Sequence, residues 1–334
     1  MTCLGQPADG SPVLFDTGWK FFKGGFEGAQ AVDLDDSSWR TLELPHDWSI
    51  EDIGLTRSPF DSNAVSQVSG GFTTGGTAWY RKTIMVPANE LGNKIRILFE
   101  GVYMNADVWL NGELLGNHPY GYSSCWYDLT GKIRFGQKNV LAVQVKNEGL
   151  NSRWYSGSGI NRHVWIQLLN PAHLVQWGTQ ISATQVTSKA ANLHILTAIE
   201  NNGTGNQAIQ VVSKVLDPGG KAVAIWKRNF QIKADQTLID SQDLQVIKPV
   251  RWSTEDPSLY SLHTDIYQQQ QRVQQQQISF GIRSIYFDVE KGFLLNGKPV
   301  KLKGGCYHND NGPLGSRSYD RAEERRVELM KASG

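Results

Sequence analysis

The chain has 334 residues, of which 40% are hydrophobic and 19% charged, so it is long enough for two or three globular domains. Its 33 basic and 32 acidic residues nearly cancel, and no run of Lys or Arg suggests a nucleic acid or an anionic membrane as partner. The charge balance therefore favours a neutral partner.

The cysteines and the apolar segments exclude several other classes. Cys3, Cys125 and Cys306 are odd in number and do not have metal-ligating spacing, so we expect free thiols and predict neither a metal nor another cofactor. The first residues contain no apolar stretch of the signal-peptide type, and no segment approaches the roughly 18 apolar residues of a membrane span. We expect a soluble protein, and the compartment stays open between the cytoplasm and the periplasm or exterior.

Short segments between about residues 12 and 170 alternate apolar and polar side chains with the period of two that is typical of β-strands. The pattern is clearest at residues 95–100, 108–110, 141–146 and 164–168. Asn111-Gly112 follows one of these segments and favours a tight hairpin, because both residues tolerate positive backbone dihedrals. These features predict an antiparallel sandwich in a first domain, residues 1–170.

A second set of strand patterns begins after Pro171. It includes residues 193–199, 211–216 and 222–226, with Asp217-Pro218-Gly219-Gly220 as a turn signal. The spacing predicts a smaller immunoglobulin-like sandwich, residues 171–287, although the Cys…Trp…Cys pattern of true immunoglobulin domains is absent from the sequence.

One low-complexity segment, QQQQRVQQQQ at residues 268–277, lies inside this second sandwich. Such tracts can be disordered and prone to aggregation. Strand-like segments flank this short run on both sides, however, and hairpin loops lie at protein surfaces. We therefore predict a polar hairpin with an exposed tip.

The last part of the chain, residues 288–334, changes in character. Asn296-Gly297 joins two short segments, and the pattern predicts a strand at residues 299–304 followed by a helix at residues 320–333. Asp320 is placed as the N-cap of that helix and Gly334 as its C′ residue. One strand and one helix form a single β/α unit, whereas a closed eight-stranded barrel needs roughly 200–250 residues. The pattern predicts the start of a truncated barrel.

His46 and Asp47 lie between Pro45 and Trp48 at the end of a predicted strand. The pair could belong to a catalytic dyad, but no Ser or Cys in a triad context accompanies it. A polar network that pins the loop is the favoured interpretation, because buried polar groups must be hydrogen-bonded.

Six stretches carry a resemblance to a known family. They are WRTLELPHDW (39–48), GGTAWYRKTIMVP (75–87), FEGVYMNADVWLNGELLGNHPYGYSSCWYDLT (99–130), RWYSGSGINRHVWI (153–166), FGIRSI (280–285) and LLNGKPVKLKGGCYHNDNGPLG (294–315). In this order they resemble the amino-terminal half of glycoside hydrolase family 2, which includes large β-galactosidases, β-glucuronidases and β-mannosidases. The chain's many aromatic residues fit such a family, since rings cover the apolar faces of sugars.

The resemblance implies a mainly β fold with three parts: a jelly-roll sugar-binding sandwich, an immunoglobulin-like sandwich and the first β/α unit of an incomplete TIM barrel. It also implies that Arg153, Trp154, His308 and Asp310 contact substrate. Some relatives place an acidic residue at the position of Arg153, so this chain departs from them there. An Arg still offers five donors to sugar hydroxyls.

The activity implied for the parent protein is retaining exo-glycosidase activity on terminal β-D-galactosyl bonds. In this family both catalytic residues are glutamates on later barrel strands, so the chain is expected to contain no catalytic residue and to be inactive alone. The remaining acidic residues of the predicted helix, Glu323, Glu324 and Glu328, are expected to be solvated surface charges.

The alternatives are a carbohydrate-binding module without hydrolysis, a structural spacer, or a β-glucuronidase or β-mannosidase of the same family. Fold alone does not decide between them. The expected partner is a β-galactoside or a related glycan in the full-length enzyme. A homo-oligomer of the full-length enzyme is also compatible with the resemblance.

Overall fold

The computed structural model describes residues 2–4, 7, 9–54 and 56–334. Two β-sandwiches follow one another along the chain, and a small sheet, an irregular segment and one α-helix complete it. Cys125 and Cys306 are free thiols, the first partly buried and the second exposed, whereas the side chain of Cys3 lies outside the described part. No helix in the described residues has the length and apolarity to span a bilayer.

The first sandwich is built from strands that lie before residue 170. They are β1 (Thr2–Cys3), β2 (Val13–Leu14), β3 (Trp19–Lys23), β4 (Arg40–Leu42), β5 (Gly76–Met85), β6 (Lys94–Phe99), β7 (Ala106–Leu110), β8 (Glu113–His118), β9 (Cys125–Asp128), β10 (Lys138–Asn147) and β11 (Val164–Leu169). Single 3₁₀ turns lie at Trp48–Ile50, Val68–Gly70 and Ala88–Glu90.

The two sheets of this sandwich have the orders β4-β3-β5-β10-β7-β8, with β1 parallel to β5, and β2-β11-β6-β9. Their inner faces alternate buried apolar side chains, as the period of two predicted, and the fully buried set includes Trp19, Trp48, Tyr80, Phe99 and Leu141. Asn111 and Gly112 have φ values of 54° and 84° in the predicted hairpin between β7 and β8. Burial of these large side chains is the main stabilising term of the sandwich.

The second sandwich has seven strands in the described residues. They are β12 (Ala172–Thr184), β13 (Ala190–Asn201), β14 (Gln207–Leu216), β15 (Ala222–Ile232), β16 (Gln236–Ile247), β17 (Tyr260–Gln268) and β18 (Gln271–Phe280). They form sheets of order β12-β13-β16 and β15-β14-β17-β18. This three-plus-four arrangement is immunoglobulin-like, as the sequence predicted.

The glutamine-rich segment forms the predicted hairpin. Strands β17 and β18 pair up to Gln268 and Gln271, and the two exposed loop residues between them, Gln269 and Gln270, have φ values of 46° and 69°. Positive values at both central positions are those of a type I′ turn. Further along β18, Gln274 is buried and its side-chain oxygen accepts a hydrogen bond from the backbone N–H of Leu174 at 2.8 Å.

The same strand joins the two sandwiches. The backbone N–H of Gln275 donates to the carbonyl of Asp9 at 3.0 Å, and the Gln275 side chain donates to the Asp9 carboxylate at 2.8 Å. Next to Asp9, Gly10 accepts a hydrogen bond from the side chain of Gln167 at 2.6 Å. The segment before β2 therefore fastens the second sandwich to the first.

Gly10 is required at this junction, and replacing it with alanine is expected to destabilise the chain. Gly10 has φ 61°, and a Cβ there would lie 2.6 Å from the backbone carbonyl oxygen of Val273. The matched control is Gly18→Ala, because Gly18 has φ 72° and no atom lies within 4 Å of its would-be Cβ. We expect Gly10→Ala to lower the free energy of unfolding by about 1–3 kcal/mol more than the control. If chemical denaturation shows the same loss of unfolding free energy in Gly10→Ala and Gly18→Ala, the proposed clash with the Val273 carbonyl is wrong.

The C-terminal part contains the small antiparallel sheet β19 (Ile285–Asp288), β20 (Gly292–Leu295) and β21 (Lys298–Pro299), which crosses the predicted boundary between residues 287 and 288. The turn at Asn296-Gly297 is confirmed, with φ values of 51° and 79°. The strand predicted at residues 299–304 is wrong, because residues 300–304 form no strand. Pro299 pairs with β20, and the backbone N–H of Val300 still donates to the Phe293 carbonyl at 2.9 Å, but no strand pairing is found for residues 301–304 in the described chain. A barrel strand needs partners along both edges.

The segment continues through a 3₁₀ turn, Gly312–Leu314, to α1 (Asp320–Ala332), the one α-helix among the described residues. The predicted helix is confirmed, but its predicted N-cap is wrong: Tyr319 holds that position, and the Asp320 carboxylate faces His163 of the first sandwich at 3.4 Å. Gly334 has the positive φ of a C′ residue, 89°. The apolar side chains of Val327 and Met330 are about half exposed.

Candidate functional site

A cavity of about 740 Å³, which we call the junction cavity, lies where the first sandwich meets the segment that leads to α1. The sandwich contributes Glu100, Tyr120, Tyr122, Trp154, Arg162 and His163 to its lining. The C-terminal part contributes Cys306, Tyr307, His308, Asn309, Ser318, Asp320 and Glu323. Its size and its mixture of rings with polar groups are typical of sites for small molecules.

One wall of the junction cavity is aromatic. The rings of Tyr120 and Tyr122 lie 5.6 Å apart, and the Trp154 indole N–H donates to the Tyr122 hydroxyl at 2.9 Å. Burial raises the pKa of Tyr122 to about 12, so its phenol is protonated at neutral pH. Gly121 lets the two tyrosines approach the core, because a Cβ at this position would lie 2.3 Å from the Tyr103 ring.

The opposite wall is formed by the segment around His308. The His308 ring meets Trp154 edge to face, with centroids 5.0 Å apart and planes at 62°. Arg326 of α1 donates to the His308 carbonyl at 2.9 Å, and its guanidinium lies 3.9 Å from the centroid of the Tyr307 ring. The helix therefore fixes the backbone that carries the two cavity residues Tyr307 and His308.

Two carboxylates of the cavity already bind protein donors. Glu100 accepts a hydrogen bond from the Trp165 indole at 2.8 Å, and Glu323 accepts one from the Tyr307 hydroxyl at 2.5 Å. Burial, with the nearby Glu323 carboxylate, raises the pKa of Tyr307 to about 12. In the described residues, no group of three or more His, Cys, Asp or Glu side chains is arranged to hold a metal ion.

His163 connects the sandwich to the first turn of α1. Its Nδ1 lies 2.6 Å from a carboxylate oxygen of Asp16, and its Nε2 lies 3.4 Å from one of Asp320. Burial lowers the pKa of His163, but the Asp16 hydrogen bond and the charges of Asp16, Asp320 and Glu100 outweigh this effect, so the net pKa is raised.

Since the pKa of His163 is higher in the folded than in the unfolded chain, its ion pairs stabilise the fold most below about pH 6.5. This contribution is lost as the pH rises through the folded-state pKa. We expect His163→Gln to cost about 1 kcal/mol at pH 5.5 and less at pH 8.5, measured by denaturation of wild type and variant at each pH. A cost that grows with pH would contradict the assignment. His194→Gln serves as control, because His194 pairs with the largely exposed Asp243 at 2.8 Å in the second sandwich.

The four predicted substrate residues divide into two pairs. Trp154 and His308 both line the junction cavity and touch each other. Arg153 and Asp310 are exposed and lie outside the lining. Tyr120 and Tyr122 were not singled out from the sequence, although the spaced aromatic pair in PYGYSS was a usable signal.

One acidic residue differs from its prediction. Glu323 is not a solvated surface charge: it lines the cavity, its side chain is only 30% exposed, and its Oε1 atom is buried without a hydrogen-bond partner in the described chain. The first turn of α1 faces the sandwich, which the sequence could not reveal. Glu324 and Glu328 are exposed as predicted and pair with Arg321.

The predicted polar network at His46 and Asp47 is confirmed. The His46 ring lies 2.7 Å from the Tyr80 hydroxyl and 2.8 Å from a Glu51 carboxylate oxygen. One oxygen of Asp47 accepts a hydrogen bond from the backbone N–H of Ser49 at 2.9 Å, which caps the 3₁₀ turn Trp48–Ile50. Asp47 also accepts hydrogen bonds from Tyr155 and Ser158, so the pair lies beneath the loop that carries Trp154.

A second cavity, about 340 Å³ in volume, is lined by the loops at residues 63–76 and 147–157. Its lining holds one ionisable side chain, Glu148, and no aromatic ring. The junction cavity is therefore better suited to recognise a ligand, because it combines rings with charged and polar groups.

Comparison with known proteins gives the chain its family. A model of the sugar binding domain of glycosyl hydrolases family 2 matches residues 30–168, and a second model of glycosyl hydrolases family 2 matches residues 172–283, together about three-quarters of the chain. The chain belongs to glycosyl hydrolase family 2. This confirms the resemblance found in the six sequence stretches.

Family 2 relatives extend well beyond this chain. The β-galactosidase BoGH2A of Bacteroides ovatus is 39% identical over 96% of this chain and 37% of its own length. A protein named as a putative β-glucuronidase, from Formosa agariphila, is 34% identical over 90% of this chain and 28% of its own. A crystal structure of a family 2 member from Bacteroides cellulosilyticus superimposes with a TM-score of 0.90 at 43% identity, covering 97% of this chain and 42% of that one. The chain thus spans well under half the length of these relatives.

Proposed function

We propose that this chain is the sugar-binding and immunoglobulin-like part of a retaining exo-glycosidase that hydrolyses terminal β-D-galactosyl bonds. The observation that carries the proposal is the junction cavity, where aromatic rings of the sandwich, Tyr122 and Trp154, face His308. Rings of this kind cover the apolar face of a pyranose, while the hydroxyl and imidazole groups bind its hydroxyls.

The charge of the cavity supports a neutral sugar. The lining contains three carboxylates, from Glu100, Asp320 and Glu323. Its basic groups are one permanent cation, Arg162, and the His163 ring. A uronic acid would bring its own carboxylate next to these groups, and like charges at short range repel. Galactose carries no such charge, so this balance favours a β-galactoside over a β-glucuronide.

The chain alone should bind sugar but not cleave it. Retaining hydrolysis needs two carboxyl groups about 5–5.5 Å apart, one protonated and one free to attack the anomeric carbon. The acidic groups of the cavity instead hold the protein together: Glu100 binds Trp165, Asp320 faces His163 and Glu323 binds Tyr307. Catalysis would then require carboxylates from additional polypeptide.

Calorimetric titration of the purified chain tests sugar binding. Methyl β-D-galactoside is expected to bind, and the corresponding glucuronide to bind at least tenfold more weakly. Trp154→Ala should weaken galactoside binding about tenfold or more. Trp177→Ala is the matched control, because Trp177 is 59% exposed in the second sandwich. Tighter binding of the glucuronide would favour a β-glucuronidase, and no binding of either sugar would refute the site.

A nitrophenyl β-galactoside tests the second half of the proposal. The chain should release no nitrophenol above background. Release that co-purifies with the chain through further steps would show that its own residues suffice for hydrolysis and would overturn the assignment of an accessory role.

A further inference from the structure

A single buried carboxylate joins three separate stretches of the chain beside the junction cavity. Asp47 is 1% exposed. Its Oδ1 accepts hydrogen bonds from the backbone N–H groups of Ser49 and Ser158, both at 2.9 Å. Its Oδ2 accepts from the backbone N–H of Ser316 at 2.8 Å and the Ser316 hydroxyl at 2.9 Å, and also from the Tyr155 hydroxyl.

Two glycines bring these stretches into direct contact. A Cβ on Gly157 would lie 1.9 Å from the Ser316 hydroxyl oxygen, and a Cβ on Gly315 would lie 2.5 Å from Oδ2 of Asp47. Both glycines also have positive φ, 70° and 62°. Because the backbones pack so closely, a shift of one stretch must move the other two.

The joined stretches carry the two walls of the cavity. Trp154 directly precedes Tyr155, and His308 belongs to the segment that Ser316 anchors. A side-chain hydrogen bond from Asn309 to the Ser156 carbonyl, at 3.1 Å, links the same two stretches a second time. We propose that Asp47 is a positioning residue that sets the contact between Trp154 and His308 and thereby the shape of the junction cavity.

The role depends on a carboxylate and not merely on a polar side chain. An ionised Asp offers about four lone-pair sites on two oxygens, whereas an Asn amide replaces one oxygen by a donor. In Asp47→Asn, the remaining oxygen can still accept from Ser49 and Ser158. The amide nitrogen would face the backbone N–H of Ser316, and because both groups are hydrogen-bond donors, this hydrogen bond would be lost. The variant should therefore release the C-terminal segment selectively while the loop cap at Ser49 stays.

Nuclear magnetic resonance of histidine-labelled chain tests this directly. The Trp154 ring current should displace the His308 ring-proton resonances, which are assigned by their loss in His308→Gln. The displacement is expected to disappear in Trp154→Ala and to fall by at least half in Asp47→Asn. Tyr155→Phe removes only the hydroxyl donor to Oδ2, so it should produce a smaller shift in the same direction. It also provides a readout should Asp47→Asn fail to fold.

Arg81→Met is the matched control, because Arg81 contacts the loop at residues 29–36 and lies outside the residues that line the cavity. It should leave the His308 resonances in place although it also lowers stability. Unchanged His308 resonances in both Asp47→Asn and Tyr155→Phe would overturn the proposal, as would an equal displacement in Arg81→Met. These signals need no ligand, so the proposal stands or falls separately from the proposed sugar. In a chain that binds methyl β-D-galactoside, Asp47→Asn should also raise the dissociation constant at least fivefold.

Discussion

Replacing Arg81 with methionine is expected to cost about 3–5 kcal/mol of the free energy of unfolding of the first sandwich. The Arg81 side chain is completely buried, and its Nε donates to the Asp36 carboxylate at 2.9 Å. Its Nη1 donates to the carbonyls of Ala29 and Ala31, the latter at 3.0 Å. Methionine would fill similar space but leave two carbonyls and the Asp36 carboxylate, which is 24% exposed, without their donor. Removing one partner of an ion pair in this way is costly.

The measurement is denaturant unfolding followed by tryptophan fluorescence, since eight of the eleven tryptophans lie at or before Trp165. Arg321→Met makes the same chemical change on the exposed face of α1, where Arg321 pairs with Glu324 and Glu328. Surface pairs of this kind contribute roughly 0–1 kcal/mol, so the control should change little. If Arg81→Met and Arg321→Met lose similar amounts of unfolding free energy, the buried guanidinium does not hold the loop before β4 in place.

A second large effect is expected at the neighbouring position, where Lys82→Met should alter how stability depends on pH. Lys82 is 2% exposed, and its ammonium donates to the carbonyls of Phe15 at 2.8 Å and Thr17 at 2.6 Å. It also lies 3.5 Å from the centroid of the Phe15 ring. Burial lowers the pKa of Lys82 from 10.5 to about 8, against the opposing charge of Asp16.

Between pH 8 and 10.5 the unfolded chain therefore binds more protons at this lysine than the folded chain does. Stability must rise with pH across that window, because folding no longer requires a buried charge. The free energy of unfolding of wild type minus that of Lys82→Met should increase by on the order of 2–3 kcal/mol from pH 7.5 to pH 10.5.

Denaturation of wild type and Lys82→Met at several pH values measures how this difference in the free energy of unfolding changes with pH. Taking the difference cancels the contribution of the tyrosine ionisations, which the two chains share. Lys82→Arg keeps a positive charge that is not lost in this pH range. The free energy of unfolding of Lys82→Arg minus that of Lys82→Met should therefore not change with pH. If the free energy of unfolding of wild type minus that of Lys82→Met stays constant or falls as the pH rises, burial does not destabilise the Lys82 ammonium.

Local patterns predicted most of the fold. The alternation around Val143 and Ile166 has a period of two because alternate side chains of each strand pack into the apolar core of the first sandwich. Asn-Gly pairs form hairpins because of their own dihedral preferences. The glutamine-rich tract follows the same rule, because its flanking strands and a two-residue turn decide its conformation. These features depend on neighbours in sequence.

The errors arose where distant contacts decide. Residues 300–304 have a strand-like composition, but a strand also needs partners, and in the described chain the pairing with β20 does not continue beyond Val300. Asp320 faces His163 instead of capping its own helix, and Glu323 lines a cavity formed by a sandwich far away in sequence. The aromatic wall at Tyr120 and Tyr122 likewise becomes a site only when Trp154 and His308 are brought beside it.

The contact between Asp9 and Gln275 has a further consequence for solubility. Strand β18 is the outermost strand of its sheet, and it is rich in glutamine, the composition from which amyloid-like fibrils grow through ladders of side-chain amides. The unpaired edge of such a strand is a template on which another molecule can add a strand. The segment at Asp9 and Gly10 occupies part of the β18 edge and so protects it from pairing with another molecule. Loosening this segment would expose the edge and promote self-association.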